Sequence, residues 1–112
     1  MERSLNKIEL RGNVGQDARI TKVGESTVAR FSVATNERFK DRSGVLKEET
    51  TWHAIVAWSG KGMPDFTKIR KGTFVKVVGR LRVNKYTNVE GEEKQFYEVL
   101  ANRIVIDEME NV

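Results

Sequence analysis

Apolar and polar side chains alternate along most of this chain, and that alternation limits its possible folds more than any other feature. In residues 73–86 the apolar side chains of one parity are Val75, Val77, Leu81 and Val83. Successive side chains of a β-strand point to opposite faces, whereas a helical pattern repeats about every 3.6 residues. The sequence therefore predicts a protein built mainly of β-strands.

One segment breaks the alternation, between Gly60 and Gly72. Pro64 can begin a helix, Gly72 can end it, and two apolar residues three positions apart would share a face. We expect about two turns of helix here, between the third and fourth of five strands. That order is typical of an OB-fold, an all-β, partly open Greek-key barrel that binds oligonucleotides.

The composition indicates one folded domain. The chain has 112 residues, 38% of them hydrophobic and 32% charged, which is a normal balance for a globular protein. We expect a single domain over residues 1–112, with its core at about 5–106 and an acidic end at 107–112. The sequence has no cysteine, no apolar run of membrane-spanning length and no targeting pattern at its start, which predicts a cytoplasmic protein without a membrane partner.

The charge is unevenly distributed. The last six residues carry three acids and no base, so the rest of the chain holds 20 bases against 13 acids, a net charge of +7. A basic body favours polyanionic partners such as nucleic acid, although many ordinary proteins are also basic.

Two tryptophans lie in one strand pattern. Trp52 and Trp58 are separated by an even number of residues, so they share a face of that strand. Such a pair can stack bases, but in a β-barrel it more often packs in the core. Trp58 is followed by Lys61, and another ring, Phe39, precedes Lys40 and Arg42.

The strand at residues 73–86 favours the stacking interpretation. Opposite its apolar face it carries Lys76, Arg80, Arg82 and Tyr86, and no acid. An ordinary wet face would mix both signs of charge. Bases interleaved with aromatic rings suit single strands, whose unpaired bases offer free faces. Duplex readers more often insert a recognition helix, and the one predicted helix is short and apolar.

Several motifs resemble the bacterial single-stranded-DNA-binding protein family. The likeness runs from about Leu5 to Ile106. It is carried by Leu5-Asn6-Lys7-Ile8-Glu9-Leu10-Arg11-Gly12-Asn13-Val14-Gly15-Gln16-Asp17, Phe31-Ser32-Val33-Ala34-Thr35-Asn36-Glu37, Thr51-Trp52-His53, Val56-Ala57-Trp58, Gly60-Lys61, Arg70-Lys71-Gly72, Val78-Gly79-Arg80-Leu81-Arg82 and Lys85-Tyr86-Thr87.

The resemblance implies an OB-fold that binds single-stranded DNA without sequence choice and protects it in replication, recombination or repair. The family's four stacking positions fall on Phe39, Trp52, Trp58 and Tyr86. Its basic contacts fall on Lys40, Arg42, Lys61, Lys71, Arg82 and Lys85, to which the strand pattern adds Lys76 and Arg80. Ala54 and Asn84 stand where relatives carry bases, so two contacts are expected to be missing.

The resemblance also implies a homotetramer associated with the nucleoid, with a dimer as the alternative. Family members usually continue through a Gly/Pro/Gln-rich linker to an acidic tip that recruits replication and repair proteins. This sequence stops at Val112 without them, so it is either a trimmed piece or a short, tail-less form, for which we expect weak recruitment of partners.

The sequence offers nothing for catalysis. One histidine, no cysteine and scattered carboxylates provide no acid–base, nucleophilic or metal constellation, and no cofactor is expected. His53, which follows Trp52, is expected to be a satisfied or interface histidine. The remaining alternatives are a primosome-type OB dimer and an RNA-binding OB module, since stacking tolerates ribose.

Overall fold

The structure, a computed structural model, describes residues 3–107, and within them it contains six β-strands. The predicted acidic end lies outside the described residues apart from Asp107. The strands are β1 (Ile8–Val14), β2 (Arg19–Val23), β3 (Ser26–Lys40), β4 (Leu46–Trp58), β5 (Phe74–Thr87) and β6 (Glu93–Ile106).

Five of the strands close into a barrel, as the sequence predicted. They follow the order β1-β5-β6-β4-β3, and β1 closes the ring by pairing with β3 as well as with β5. All pairs are antiparallel except β4 with β6. The remaining strand, β2, pairs only with β3 and lies beside the barrel. The all-β OB-fold prediction is confirmed.

Closure depends on a close approach of two strands at Gly12. Gly12 pairs with Val75 of β5, and the next residue, Asn13, pairs with both Phe74 of β5 and Ala34 of β3. A Cβ atom at Gly12 would lie 2.0 Å from the carbonyl oxygen of Ala34 on β3. Because any side chain would clash with backbone there, glycine lets one short strand serve both neighbours.

The predicted helix of about two turns is wrong in its extent. The structure has a single 3-10 turn, Phe66–Lys68, with Asp65 capping it and Ile69 already extended. The Ile69 carbonyl accepts a hydrogen bond from the Ala18 N–H at 2.9 Å, so it is committed to another part of the barrel. Phe66 and Ile69 are both buried, and one turn is enough to bury them.

The predicted core face of β5 is correct for only half of the strand. Val75 and Val77 are fully buried, but Leu81 and Val83 are exposed. The reason is that β5 and β6 remain paired well past the barrel and project as a hairpin, up to the pair Thr87–Glu93. A second hairpin projects in the same way from β3 and β4, up to the pair Lys40–Leu46. Each hairpin therefore has two accessible faces.

Candidate nucleic-acid interface

All four predicted stacking residues have accessible rings. The exposed fractions are 47% for Phe39, 59% for Trp52, 41% for Trp58 and 51% for Tyr86. None of the four belongs to the hydrophobic core inside the barrel. The interpretation of the two tryptophans as core residues is therefore wrong for the isolated chain.

Trp52 and Trp58 share the outer face of β4, as their spacing predicted. Trp58 lies across from Val28, and Trp52 lies across from Ala34, along one continuous antiparallel ladder. Between the two rings lies Val56, which is buried even though it faces outward. This strand face therefore presents two large rings on either side of a packed apolar floor.

The Trp52 ring rests against the backbone of Gly15. A Cβ atom at Gly15 would lie 2.6 Å from the ring atom Cζ3 and 2.9 Å from the Ser32 hydroxyl oxygen. Gly15, Gln16, Ser32 and Trp52 together line an open groove. Because the missing side chain of Gly15 makes room for the ring, the orientation of Trp52 depends on this glycine.

Phe39 lies apart from the tryptophans. It pairs with Lys47 near the tip of the β3–β4 hairpin, and its strand parity is opposite to that of Ala34, the partner of Trp52. Phe39 and Trp52 therefore belong to opposite faces of this twisted ribbon. The structure places Phe39 near the hairpin tip and Trp52 beside the barrel, where its partner Ala34 also pairs with Asn13 of β1, so the two rings do not share one strand face.

The loop after Phe39 presents Arg42 and is held in shape by Asp41. The Asp41 carboxylate accepts hydrogen bonds from the N–H groups of Ser43 at 2.9 Å and Val45 at 3.0 Å. The bond from Val45 is the main cause that lowers the pKa of Asp41 below its usual value. Asp41 is thus charged at neutral pH, and its loop contacts weaken only as the pH falls through that lowered pKa.

The outer face of the β5–β6 hairpin collects the residues that the sequence assigned to one face. Arg80, Arg82, Asn84 and Tyr86 of β5 pair in turn with Leu100, Glu98, Phe96 and Lys94 of β6. Tyr86 and Phe96 are in contact, with ring centroids 6.1 Å apart and planes inclined at 62°. Three basic side chains, Arg80, Arg82 and Lys94, and two rings therefore lie along one hairpin face.

Glu98 is a feature of this face that the sequence analysis missed. Its carboxylate is buried, and it accepts a hydrogen bond from Arg82 Nε at 2.8 Å and another from Asn84 Nδ2 at 3.4 Å. Arg30 Nη1 of β3 approaches the other carboxylate oxygen at 3.5 Å. Arg82 is therefore held through Nε, with its side chain still partly exposed.

Strand β5 alone carries no acid on this face, and the acid comes from the partner strand. The sequence could have predicted this acid. A hairpin that turns at Asn88–Glu92 pairs Thr87 with Glu93, and the same register places Glu98 opposite Arg82.

The other predicted phosphate contacts are spread over the surface. Lys85 has the parity of Leu81 and Val83, so it belongs to the hairpin face opposite Tyr86. Lys76 lies lower on the barrel, between Arg11 of β1 and Val105 of β6. Lys40, Lys61 and Lys71 lie at a strand end and in loops. The structure thus brings Arg80 and Arg82 together with Tyr86, and it does not add Lys76 or Lys85 to that group.

His53 faces inward, away from Trp52. Its Nε2 atom is 2.9 Å from the Thr35 hydroxyl oxygen. That hydrogen bond matches the expected satisfied histidine. Within residues 3–107, no group of three His, Asp or Glu side chains is arranged to hold a metal ion. The same residues include no helix that is long and apolar enough to span a membrane.

Comparison with known proteins identifies the family. Residues 5–107 match the model of the single-strand binding protein family. The chain belongs to this family. It is 39% identical over 106 residues to a single-stranded DNA-binding protein of Xanthomonas campestris pv. campestris, a match that covers 93% of this chain and 61% of the relative. It is 40% identical over 104 residues to single-stranded DNA-binding protein 1 of Chlorobaculum tepidum, covering 90% of this chain and 64% of that one.

Among solved structures, the fold is similar to that of the Plasmodium falciparum SSB in its complex with ssDNA. The TM-score is 0.84 at 36% sequence identity, covering 96% of this chain and 99% of that one. The chain spans about 60% of the length of the curated Xanthomonas and Chlorobaculum relatives, with 61% and 64% coverage. The family match therefore covers the barrel and its hairpins.

Proposed function

We propose that this chain binds single-stranded DNA without sequence preference and protects it in replication, recombination or repair. Bases stack on Phe39, Trp52, Trp58 and Tyr86, and Lys and Arg side chains contact the phosphates. The protein acts as a binding protein rather than an enzyme, in the cytoplasm with the nucleoid. The observation that carries the proposal is the exposure of all four rings, between 41% and 59%, on the outside of the barrel and its hairpins.

The cost of exposed rings supports a role in stacking. Large aromatic side chains are ordinarily buried, because water contact with their apolar surface is unfavourable. Four such rings outside the core of a small barrel form surfaces that a flat ligand can cover. Unpaired bases have the right shape, and each base stacked on an aromatic ring contributes about 1–3 kcal/mol whatever its sequence.

The charged side chains support a backbone-tracking mode of binding. The proposed phosphate contacts are Lys40, Arg42, Lys61, Lys71, Lys76, Arg80, Arg82 and Lys85. Arg80 and Arg82 are the strongest candidates, because they share the outer hairpin face with Tyr86. Lys76 and Lys85 are weaker candidates, because each lies away from that group.

The similarity to the Plasmodium complex supports the choice of ligand. That protein was solved with single-stranded DNA, and the two chains share the barrel over nearly their whole lengths. We further propose that the chain assembles as a homotetramer. Large apolar side chains left exposed on one chain, such as Leu5, Leu46, Leu81 and Val83, support self-association.

The proposal is tested by titrating the protein with a poly-pyrimidine single strand, its duplex and its RNA counterpart, while tryptophan fluorescence is recorded over a series of salt concentrations. We expect the DNA single strand to quench strongly and to bind more weakly as salt increases, because phosphate contacts release counterions. Duplex bound as tightly as single strand, or more tightly, would contradict the proposal. Preference for the RNA strand would instead support an RNA-binding OB module.

Two variants test the stacking step within the same experiment. Trp52→Ala and Trp58→Ala should each weaken single-strand binding by about 1–3 kcal/mol, the contribution of one stack. Circular dichroism should show that both variants keep the fold, because both rings lie outside the core. Unchanged affinity in both variants would show that these rings do not bind bases.

A further inference from the structure

Phe96 is an exposed aromatic residue to which no role has been assigned. Its side chain is 41% exposed, close to the value for Trp58, and it lies in β6 on the projecting hairpin. It is followed directly by Tyr97, which is 58% exposed. Alternation along the strand sends these two adjacent rings to opposite faces of the hairpin.

The strand register places Phe96 on the face that carries the proposed DNA contacts. Phe96 pairs with Asn84. The next pairs on the same face are Arg82–Glu98 on one side and Tyr86–Lys94 on the other. Tyr97 pairs with Val83 on the reverse face. Phe96 therefore lies between the guanidinium of Arg82 and the ring of Tyr86, and Tyr97 does not.

The contact with Tyr86 leaves both rings available to a ligand. Their centroids are 6.1 Å apart and their planes are inclined at 62°, an edge-to-face arrangement that leaves Tyr86 51% and Phe96 41% exposed. Diagonal neighbours on paired strands commonly approach in this way. Each ring consequently keeps accessible surface, and the two form adjacent walls of one corner.

We infer that Phe96 is a fifth base-stacking residue, which extends the aromatic surface of the β5–β6 hairpin beside Tyr86. The ligand is one base of the single strand, next to the base that stacks on Tyr86. Arg82, at the adjacent position on the same face, contacts the phosphate of that strand. This inference rests on the proposed function and adds a residue to it. Glu98 supports this arrangement, because its carboxylate accepts a hydrogen bond from Arg82 Nε at 2.8 Å and so holds the arginine beside the two rings.

The test compares Phe96→Ala with Tyr97→Ala, a matched variant that removes an adjacent exposed ring from the opposite face. Affinity for a poly-pyrimidine single strand is measured by tryptophan quenching at one salt concentration. We expect Phe96→Ala to weaken binding roughly 5- to 150-fold, the range for one lost stack, and Tyr97→Ala to stay within about twofold of the parent. Phe96→Leu, which keeps apolar volume without a ring, should resemble Phe96→Ala and guards against a folding defect.

Photo-crosslinking with an iodouracil-substituted strand separates direct stacking from mere support of Tyr86. We expect crosslinks on Phe96 and none on Tyr97. Loss of affinity without a crosslink on Phe96 would overturn the inference, as would equal losses in the Phe96 and Tyr97 variants. If the parent protein binds single strands and Phe96→Ala binds equally well, only this inference fails. If the parent protein does not bind, the proposed function fails.

Discussion

At the scale of single residues, Glu98 is the clearest case of a side chain with a defined energetic role. Among residues 3–107, Glu98 is the one charged residue that is buried, with 2% exposure. Arg82 of β5 and Arg30 of β3 form ion pairs with its carboxylate. A buried carboxylate is tolerable only when it is paired and hydrogen-bonded. The ion pairs hold the guanidinium groups of Arg82 and Arg30 in position, and both arginine side chains remain partly exposed.

We expect Glu98→Gln to lower the free energy of unfolding by about 1–2 kcal/mol, because hydrogen bonds to a charged acceptor are replaced by weaker neutral ones. Urea unfolding measures the change. Glu48→Gln is the matched control, since Glu48 pairs with Arg38 at 3.6 Å on an exposed surface. That change should stay within about 0.5 kcal/mol. Equal effects of the two substitutions would show that burial of Glu98 is unimportant.

At the scale of elements, the barrel depends on β1, a strand of seven residues that pairs with two partners. Gly12 lies at the transition, where a Cβ atom would lie 2.0 Å from the Ala34 carbonyl oxygen. Backbone atoms cannot yield as a flexible side chain can, so the strands themselves would have to separate. The junction between β1 and β3 is therefore sensitive to any side chain added at Gly12.

We expect Gly12→Ala to destabilise the protein by about 3 kcal/mol or more, because it overpacks backbone against backbone. Thermal unfolding followed by circular dichroism provides the measurement. Gly24→Ala is the control: its φ is +63° but no atom lies within 4 Å of the added Cβ, so only the backbone penalty of about 1–2 kcal/mol is expected. A Gly12 variant as stable as the parent would mean that β1 and β3 can move apart at little cost.

At the scale of the whole molecule, the two projecting hairpins decide how much surface the chain offers to a partner. Each leaves apolar side chains exposed, including Leu46 on β4 and Leu81 on β5. A small barrel of 112 residues buries only a modest core, so association between copies would add substantially to its stability. Assembly and stability should consequently be linked.

We expect light scattering to give a mass four times the 12.8 kDa of one chain, and the melting temperature to rise with protein concentration. The rise follows because dissociation accompanies unfolding in an oligomer. A mass of two chains would support the primosome-type dimer instead. A monomer whose melting temperature is independent of concentration would contradict both forms of assembly.

Much of the site was predictable because strand alternation is a local property. The shared face of Trp52 and Trp58, the inward direction of Val75 and Val77, and the single face of Arg80, Arg82 and Tyr86 all follow from counting residues in twos. The length of the helical segment was not predictable in this way, since the structure has one 3-10 turn where two turns of helix were expected. Its length was limited by the bond between Ala18 and Ile69, which joins distant parts of the chain.

The sequence by itself thus determined which side chains share a strand face, and with that the β-barrel class and most of the aromatic surface. Only the tertiary structure decided that Glu98 meets Arg82, that Phe96 meets Tyr86, and that Leu81 and Val83 lie outside the core. The physical reason is that alternation depends on neighbouring residues along one strand. Contacts between strands depend on their register and on where each hairpin leaves the barrel, which only the closed fold establishes.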